Sequence, residues 1–128
     1  MKVSTHLSIS SKWVGEALEV ADGRSVARLQ TLPEMAADER GLVHGGFTFG
    51  LADYAAMLAV NDPYVVLGAA ETRFLAPVRV GEVLVARAGV LEEKGKKRTV
   101  TCSVFSGDAE VFTATFTCFV LDRHILEQ

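Results

Sequence analysis

The chain has 128 residues, of which 49% are hydrophobic and 23% are charged, and its formal net charge is −3. This length and composition predict a single domain over residues 1–128 with its own buried core, and they exclude an intrinsically disordered chain. The acidic balance argues against a nucleic-acid partner, and the lack of a long apolar run argues against a membrane partner and a signal peptide, so we expect a cytoplasmic protein.

The first half of the chain predicts two strands followed by one helix. Residues 16–29 predict two short strands around Asp22-Gly23, a dipeptide typical of hairpin turns. Residues 30–45 are expected to be irregular. Residues 46–60 predict a helix that Asn61-Asp62-Pro63 ends. Because this helix is apolar nearly all round, other elements must cover most of its sides.

The second half predicts four strands joined by short turns. Short turns favour antiparallel neighbours, so the last three strands are expected to form a meander. One apolar helix among antiparallel strands has a simple solution, in which the sheet curls around the helix in an α+β fold. The predicted strands are residues 68–75, 83–92, 97–105 and 110–121.

Two cysteines lie in the apolar, β-rich part of the chain. Cys102 and Cys118 are expected to be reduced, buried thiols, although a disulfide between neighbouring strands stays open. No cluster of His, Cys and Asp has the spacing of metal ligands, so we expect no metal site.

One charged side chain interrupts the predicted helix. Asp53 is the only charged residue among residues 46–60, and burying a carboxylate without a partner is costly. It therefore either faces a cleft or has a dedicated hydrogen-bond partner that orders the fold. Gly50 lies one turn earlier on the same face and costs the helix roughly 1 kcal/mol relative to alanine. Its missing side chain is expected to open space beside Asp53 for a substrate or for a closely packed neighbouring helix.

A second candidate feature lies where this helix begins. The N–H groups and the helix dipole favour negative charge at His44-Gly45-Gly46, and the glycines let a ligand approach the backbone, as an oxyanion site requires. The same glycines also suit a loop-to-helix turn that needs positive φ. Gly45 and Asp53 are eight positions apart, which is roughly 12 Å along a helix. Because one carbonyl cannot easily touch both within one chain, joint function predicts at least a homodimer with two equivalent sites.

These residues resemble the motif of the hot-dog-fold thioesterase superfamily, and within it the phenylacetate-pathway (PaaI-like) acyl-CoA thioesterase group. The resemblance rests on His44-Gly45-Gly46 followed by six residues and Asp53, and on Arg73-Phe74-Leu75-Ala76-Pro77-Val78 followed by Gly81-Glu82. It covers about residues 15–121. It implies a hot-dog fold, with a curved antiparallel sheet wrapped around one long central helix. It also implies a homodimer with a continuous sheet, often doubled to a homotetramer.

The resemblance further implies an acyl-CoA thioesterase that hydrolyses a small or aromatic acyl thioester, carried by CoA or acyl carrier protein, without a cofactor. It implies that Asp53 acts as general base or nucleophile and that the Gly45 N–H of the other chain, beside Gly46, polarises the thioester carbonyl. It also implies that His44 organises the helix mouth, the segment His44-Gly45-Gly46 at which the helix begins. The resemblance also points to basic residues near the CoA phosphates, for which the candidates are Arg73, Arg79, Lys96, Lys97 and Arg98.

The sequence departs from this group at Asp38, where relatives often have an asparagine six residues before the histidine. This carboxylate is expected to replace the asparagine in holding water, to raise the pKa of Asp53, or to point to solvent. Some relatives hold the catalytic water with a hydroxyl in the strand after the helix. Here Val65-Val66-Leu67 offers none, which leaves Thr72 and Thr48 as candidates.

The acyl group and the reaction class stay open at this point. One alternative is a non-catalytic acyl-CoA sensor, although a pure binder gains little from a costly buried Asp53. Another is a hydroxyacyl-thioester dehydratase in which His44 and Asp53 act together. Several large apolar residues either line an acyl pocket or belong to the core: Phe47, Phe49, Tyr54, Met57 and Phe74.

Overall fold

One long helix and six antiparallel strands make up most of the computed structural model, which describes residues 1–128. The predicted order of two strands, one helix and four strands is confirmed. The largest boundary difference is at the third strand, which begins at residue 65 instead of 68. The elements are α1 (Ser11–Val14), β1 (Glu16–Ala21), β2 (Arg24–Gln30), α2 (Gly45–Val60), β3 (Val65–Phe74), β4 (Val83–Lys94), β5 (Lys97–Ser106) and β6 (Ala109–Val120), with 3-10 turns at Pro33–Met35 and Ile125–Glu127.

The strands form one sheet in the order β1-β2-β4-β5-β6-β3. The predicted meander of the last three strands is confirmed. The expectation that short connections join sheet neighbours is wrong for β3, which pairs with β6 and not with β4. Residues 75–82 carry the chain from β3 to β4, which pairs with β2 in the other half of the sheet. On the way they pass the start of α2, where Val43 N–H donates to Val78 O at 2.8 Å.

The core lies between the inner face of this curved sheet and α2. Eight of the sixteen residues of α2 are buried, which agrees with the prediction that other elements cover most of an apolar helix. On β4 the buried residues alternate as Leu84, Ala86 and Ala88, which matches one of the two sets seen in the sequence pattern. Ser25 on β2 also ties the sheet to the middle of α2 by donating its hydroxyl to Ala55 O at 2.5 Å. The predicted α+β architecture is therefore confirmed.

The two edges of the sheet differ in their protection. β1 is six residues long, and a short edge strand offers little backbone for pairing with another chain. β3 is ten residues long and is exposed over its last seven residues, from Gly68 to Phe74. Its outer backbone is therefore free to pair with a strand of another chain.

The remaining sequence expectations concern cysteines and membranes. Cys102 and Cys118 are both buried free thiols, as predicted. None of the helices is both long enough and apolar enough to cross a lipid bilayer.

Candidate active site

Helix α2 begins where His44 caps it. His44 has an extended backbone, with φ −60° and ψ 131°, and its Nδ1 accepts a hydrogen bond from the Gly46 N–H at 2.8 Å. This cap satisfies one of the free N–H groups of the first turn and requires an unprotonated Nδ1. The geometry gives His44 the organising position at the helix mouth, and it commits one ring nitrogen to the backbone.

The two glycines at this mouth allow close packing. A Cβ on Gly45 would lie 2.9 Å from Cε2 of Phe74, and a Cβ on Gly46 would lie 2.8 Å from Nδ1 of His44. Neither glycine has a positive φ, so the explanation by a left-handed turn is wrong for both. The Gly46 N–H is occupied by His44, whereas the Gly45 N–H has no acceptor within the chain. Gly45 therefore presents the free donor.

Asp53 lies on α2 with one carboxylate oxygen buried. Its Oδ1 has no hydrogen-bond partner within the chain, so the dedicated partner considered from the sequence is not there. Burial raises the pKa of Asp53 from 3.8 to about 6. Cys118 on β6 lies near enough that, after its own burial, the charge of Asp53 further raises the thiol pKa, to about 11. Asp53 is thus a desolvated carboxylate beside the inner face of β6, poised to take up a proton near neutral pH.

The helix face next to Asp53 is open. A Cβ on Gly50 would meet no atom within 4 Å, so the expected space one turn before Asp53 is present. Gly46 on the same face is exposed, and Gly50 is only partly buried. The continuous helix from Gly45 to Val60 keeps Gly45 and Asp53 about 12 Å apart along its axis.

Four aromatic rings connect the helix mouth to the core. Phe74 packs edge-on against Phe112, with ring centroids 5.0 Å apart, and it is 57% exposed. Phe49 reaches inward and contacts both Phe112 at 6.4 Å and Phe116 at 5.7 Å. Because Phe74 also abuts Gly45, its exposed face is the apolar surface next to the free N–H.

The other apolar candidates lie elsewhere. Met57 is 1% exposed and belongs to the core. Phe47 packs against Trp13, with centroids 5.9 Å apart, and edge-on against the ring of His44. Tyr54 lies 6.3 Å from the ring of His6 in the N-terminal segment. Among the five predicted pocket residues, Phe74 is therefore the one that is both exposed and in contact with the helix mouth.

Asp38 lies in the loop before α2. Its Oδ1 accepts hydrogen bonds from the N–H groups of Arg40 at 2.9 Å and Leu42 at 3.2 Å, and the residue is exposed. The cause of the raised pKa of Asp53 is burial alone, so the expectation that Asp38 raises it is wrong within the chain. Asp38 orders the loop that leads into the helix mouth.

The two hydroxyls considered for holding water have different surroundings. Thr72 lies opposite the buried Ala114 on the neighbouring strand, so its side chain is on the inner face of β3. Helix α2 does not cover this position, and Thr72 is exposed. Thr48 is 3% exposed within α2. Of the two, Thr72 is the accessible hydroxyl on the concave side of the sheet.

The predicted basic residues do not form one group. Lys96 forms an ion pair with Asp122 at 2.9 Å, and Arg98 pairs with Glu93 at 3.4 Å. Lys97 is exposed where β5 begins.

The remaining two candidates lie on different faces. Arg73 is exposed on the outer face of β3, opposite Thr113. Arg79 lies near the helix mouth together with Arg40, which was not among the predicted residues. An exposed arginine in an irregular loop has no pattern that marks it, and backbone pairing of residues 41–42 with residues 79–80 brings the two together.

Comparison with known proteins finds relatives over most of the chain. The family model described as the thioesterase superfamily matches residues 40–113. The crystal structure of an uncharacterized protein from Pyrococcus horikoshii is 50% identical, with a TM-score of 0.97 and coverage of 98% of this chain and 97% of that chain. A mutant structure of the phenylacetic acid degradation protein PaaI from Thermus thermophilus is 28% identical, with a TM-score of 0.78 and coverage of 87% and 97%.

Two curated relatives are longer than this chain. Methylthioribose-1-phosphate isomerase of Aquifex aeolicus is 47% identical over 123 residues, which are 95% of this chain but 27% of that protein. Transcription factor FapR of Thermoanaerobacter sp. is 28% identical over 116 residues, which are 90% of this chain and 58% of that protein. The chain thus spans about a quarter of the first relative and somewhat more than half of the second.

Proposed function

The chain belongs to the thioesterase superfamily and has a hot-dog fold, and from that premise we propose that it hydrolyses acyl thioesters of CoA. In this reaction Asp53 is the catalytic carboxylate, and the Gly45 N–H polarises the thioester carbonyl.

The observation that carries this proposal is the orphaned oxygen of Asp53. A buried carboxylate atom without a hydrogen bond destabilises the folded chain, and here it lies in a helix that is otherwise apolar. Its pKa of about 6 suits a general base that works near neutral pH. The open space at Gly50 leaves room for a substrate beside it.

The site needs two chains. Gly45 and Asp53 are about 12 Å apart along one helix, so a single carbonyl does not reach both within one chain. In a two-fold dimer, Asp53 of one protomer meets the Gly45 N–H of its partner, and two equivalent sites result. The long exposed edge of β3 supports a dimer in which the two sheets join edge to edge.

The chemistry follows from these two groups. Asp53 accepts a proton from water as the water oxygen attacks the thioester carbonyl carbon, and the carbonyl oxygen becomes an oxyanion. The Gly45 N–H, at the positive end of the α2 dipole, donates a hydrogen bond to that oxyanion. Collapse of the tetrahedral intermediate breaks the carbon–sulfur bond, and the thiolate leaves and takes up the proton from Asp53. If Asp53 instead attacks the carbonyl itself, an anhydride forms and water hydrolyses it in a second step.

A second function has its own support. The similarity to a transcription factor, FapR, over 90% of the chain favours a regulatory role, in which a domain of the thioesterase superfamily binds an acyl thioester without hydrolysing it. In that case the same site binds the ligand, and Asp53 serves recognition instead of proton transfer.

The test that separates the two functions is a thiol-release assay with a panel of short-chain, medium-chain and aryl acyl-CoAs. Turnover of at least one member by the wild-type protein is the expected result and identifies the acyl group. Measurable acyl-CoA binding by calorimetry without turnover would favour the sensor. If the protein shows no acyl-CoA binding and no turnover, that result would contradict both functions.

A further inference from the structure

The ring of Phe74 lies against the first residue of helix α2. A Cβ added to Gly45 would lie 2.9 Å from Cε2 of this ring and within 3.5 Å of two further ring carbons. Phe74 lies opposite the buried Phe112 on β6, so it is on the inner face of the sheet, and yet it is 57% exposed. The ring therefore contacts Gly45 on one side and presents an uncovered apolar surface on the other.

This surface is within reach of a group bound to the Gly45 N–H, which has no acceptor within the chain. A carbonyl oxygen accepts a hydrogen bond from an N–H at about 2.9 Å, and the carbonyl carbon lies about 1.2 Å from that oxygen. A carbonyl bound there is therefore close enough for one of its two substituents to contact the ring of Phe74.

The surroundings of Phe74 suit the acyl substituent and not the carrier. Its ring belongs to a row of aromatic rings that runs from the helix mouth into the core. The centroids of Phe74 and Phe112 are 5.0 Å apart, and those of Phe112 and Phe49 are 6.4 Å apart. An apolar acyl group loses no hydrogen bond by contacting this row. The amide groups of a pantetheine arm, in contrast, would lose their hydrogen bonds to water there.

The position of Asp53 decides which chain supplies the ring. Burial and, in addition, the charge of Asp53 raise the pKa of Cys118 to about 11, so the carboxylate lies near this thiol. Cys118 lies opposite Leu67 on β3, seven residues before Phe74. At roughly 3.3 Å per residue, Phe74 is roughly 20 Å further along the strand. The Phe74 of the same chain therefore does not reach a substrate at Asp53.

On the basis of the proposed function, we propose that Phe74 determines which acyl groups are accepted at the site whose Asp53 belongs to the partner chain. In that function the Gly45 N–H of one protomer meets Asp53 of the other. Because Phe74 abuts Gly45 in its own chain, it enters the shared site together with Gly45. Each site then combines the carboxylate of one protomer with the free N–H and the aromatic wall of the other.

Kinetics on a panel of short-chain, medium-chain and aryl acyl-CoAs test the role of the ring. The readout is the ratio of kcat/KM for the preferred acyl-CoA to kcat/KM for a bulkier one. Phe74→Ala should lower this ratio about tenfold, because it removes an apolar wall that distinguishes the two acyl groups. Phe74→Leu keeps an apolar side chain and should lower the ratio less. An unchanged ratio in Phe74→Ala would overturn the proposal.

Phe105→Ala is the matched control. Phe105 lies opposite Val85 on β4, and Val85 alternates with residues that are buried on the inner face of the sheet. The ring of Phe105 is therefore on the outer face, away from α2. Phe105→Ala should keep the wild-type ratio. A fall in the ratio of the same size in this control would overturn the proposal, because the selectivity would then respond to a ring that cannot contact the substrate.

Mixed dimers test whether the ring acts at the site of the partner chain. A Phe74→Ala chain and an Asp53→Asn chain, co-expressed with different affinity tags, form a dimer whose one Asp53 belongs to the Phe74→Ala chain. In the proposed arrangement this carboxylate works with the intact Phe74 of the other chain, so the mixed dimer should show the wild-type ratio. The lower ratio of the Phe74→Ala homodimer would overturn the proposal.

The reciprocal dimer contains the same side chains in the opposite arrangement. It combines a wild-type chain with a chain that carries both Phe74→Ala and Asp53→Asn. Its one Asp53 then meets the truncated side chain of the partner, so this dimer should show the lower ratio of the Phe74→Ala homodimer. The wild-type ratio here would overturn the proposal.

Binding measurements separate a failure of this proposal from a failure of the proposed function. A wild type that hydrolyses no member of the panel would contradict the proposed function, and calorimetry with the same acyl-CoAs then replaces the kinetics. Phe74→Ala should lower the ratio of the affinities for the preferred and the bulkier acyl-CoA about tenfold and leave the affinity for CoA itself unchanged. An unchanged affinity ratio, or a wild type that binds no acyl-CoA, would overturn the role of Phe74.

Discussion

Replacing Asp53 with asparagine should stabilise the protein at neutral pH. Burial raises the pKa of this carboxyl from 3.8 to about 6, a difference of about 2 units, which corresponds to about 3 kcal/mol. Because the folded-state pKa is the higher one, the stability contributed by Asp53 is fully present below pH 3.8 and is lost as the pH rises through about 6. Asparagine has a similar shape and stays neutral. Asp53→Asn should therefore exceed the wild type by up to about 3 kcal/mol above pH 7, and the difference should shrink toward zero near pH 4.

Urea unfolding followed by circular dichroism measures this difference in unfolding free energy between the variant and the wild type. The measurements are made at a fixed protein concentration and at several pH values between 4 and 8. Asp108→Asn, which changes an exposed carboxylate in the turn between β5 and β6, is the control and should show no such trend. Parallel pH dependence of the wild type and Asp53→Asn would refute the reasoning, because it would mean that the carboxylate of Asp53 is not desolvated in the folded protein.

Three further predictions concern activity and assembly. The kcat/KM for the best thioester should fall below about pH 6, as Asp53 is protonated, and an acid limb centred near pH 4 would contradict the desolvated base. Gly50→Leu should fill the open space and abolish thioester turnover while the chain stays folded. Gly50→Ala should fold at least as stably as the wild type and keep part of its activity. Equal turnover in the two variants would show that no substrate uses this space. Ala70→Asp, on the exposed edge strand β3, should shift the protein from dimer to monomer in light scattering after size-exclusion chromatography, while Ala109→Asp at the start of β6 should not.

The local sequence patterns were sufficient to predict most of the fold. The apolar run after Gly45 and the Asn61-Asp62-Pro63 segment set the helix bounds to within one residue, because helix periodicity and end signals are local properties. The pairing of β3 with β6 was not predictable in this way. It depends on the path of residues 75–82, and that path is set by contacts with a loop far away in sequence.

The candidate site was predictable where a residue violates a local rule. Asp53 stands out as a charge in an apolar helix and Gly50 as a glycine inside it, and the structure shows an unpartnered carboxylate oxygen at Asp53 and open space at Gly50. The sequence did not predict that Asp38 orders its loop or that Arg40 and Arg79 lie side by side. Exposed polar residues in irregular segments carry no periodic signal. Tertiary pairing alone brings them together.

The most direct test of the proposed mechanism is thiol release from the best acyl-CoA by the wild type and by Asp53→Asn, side by side at pH 7.5. The variant keeps the shape of the side chain and removes the proton acceptor, so kcat should fall by about 10²–10⁴, the typical contribution of a positioned general base, with the fold retained. Turnover by Asp53→Asn at the wild-type rate would contradict the central claim that this buried carboxylate performs the hydrolysis.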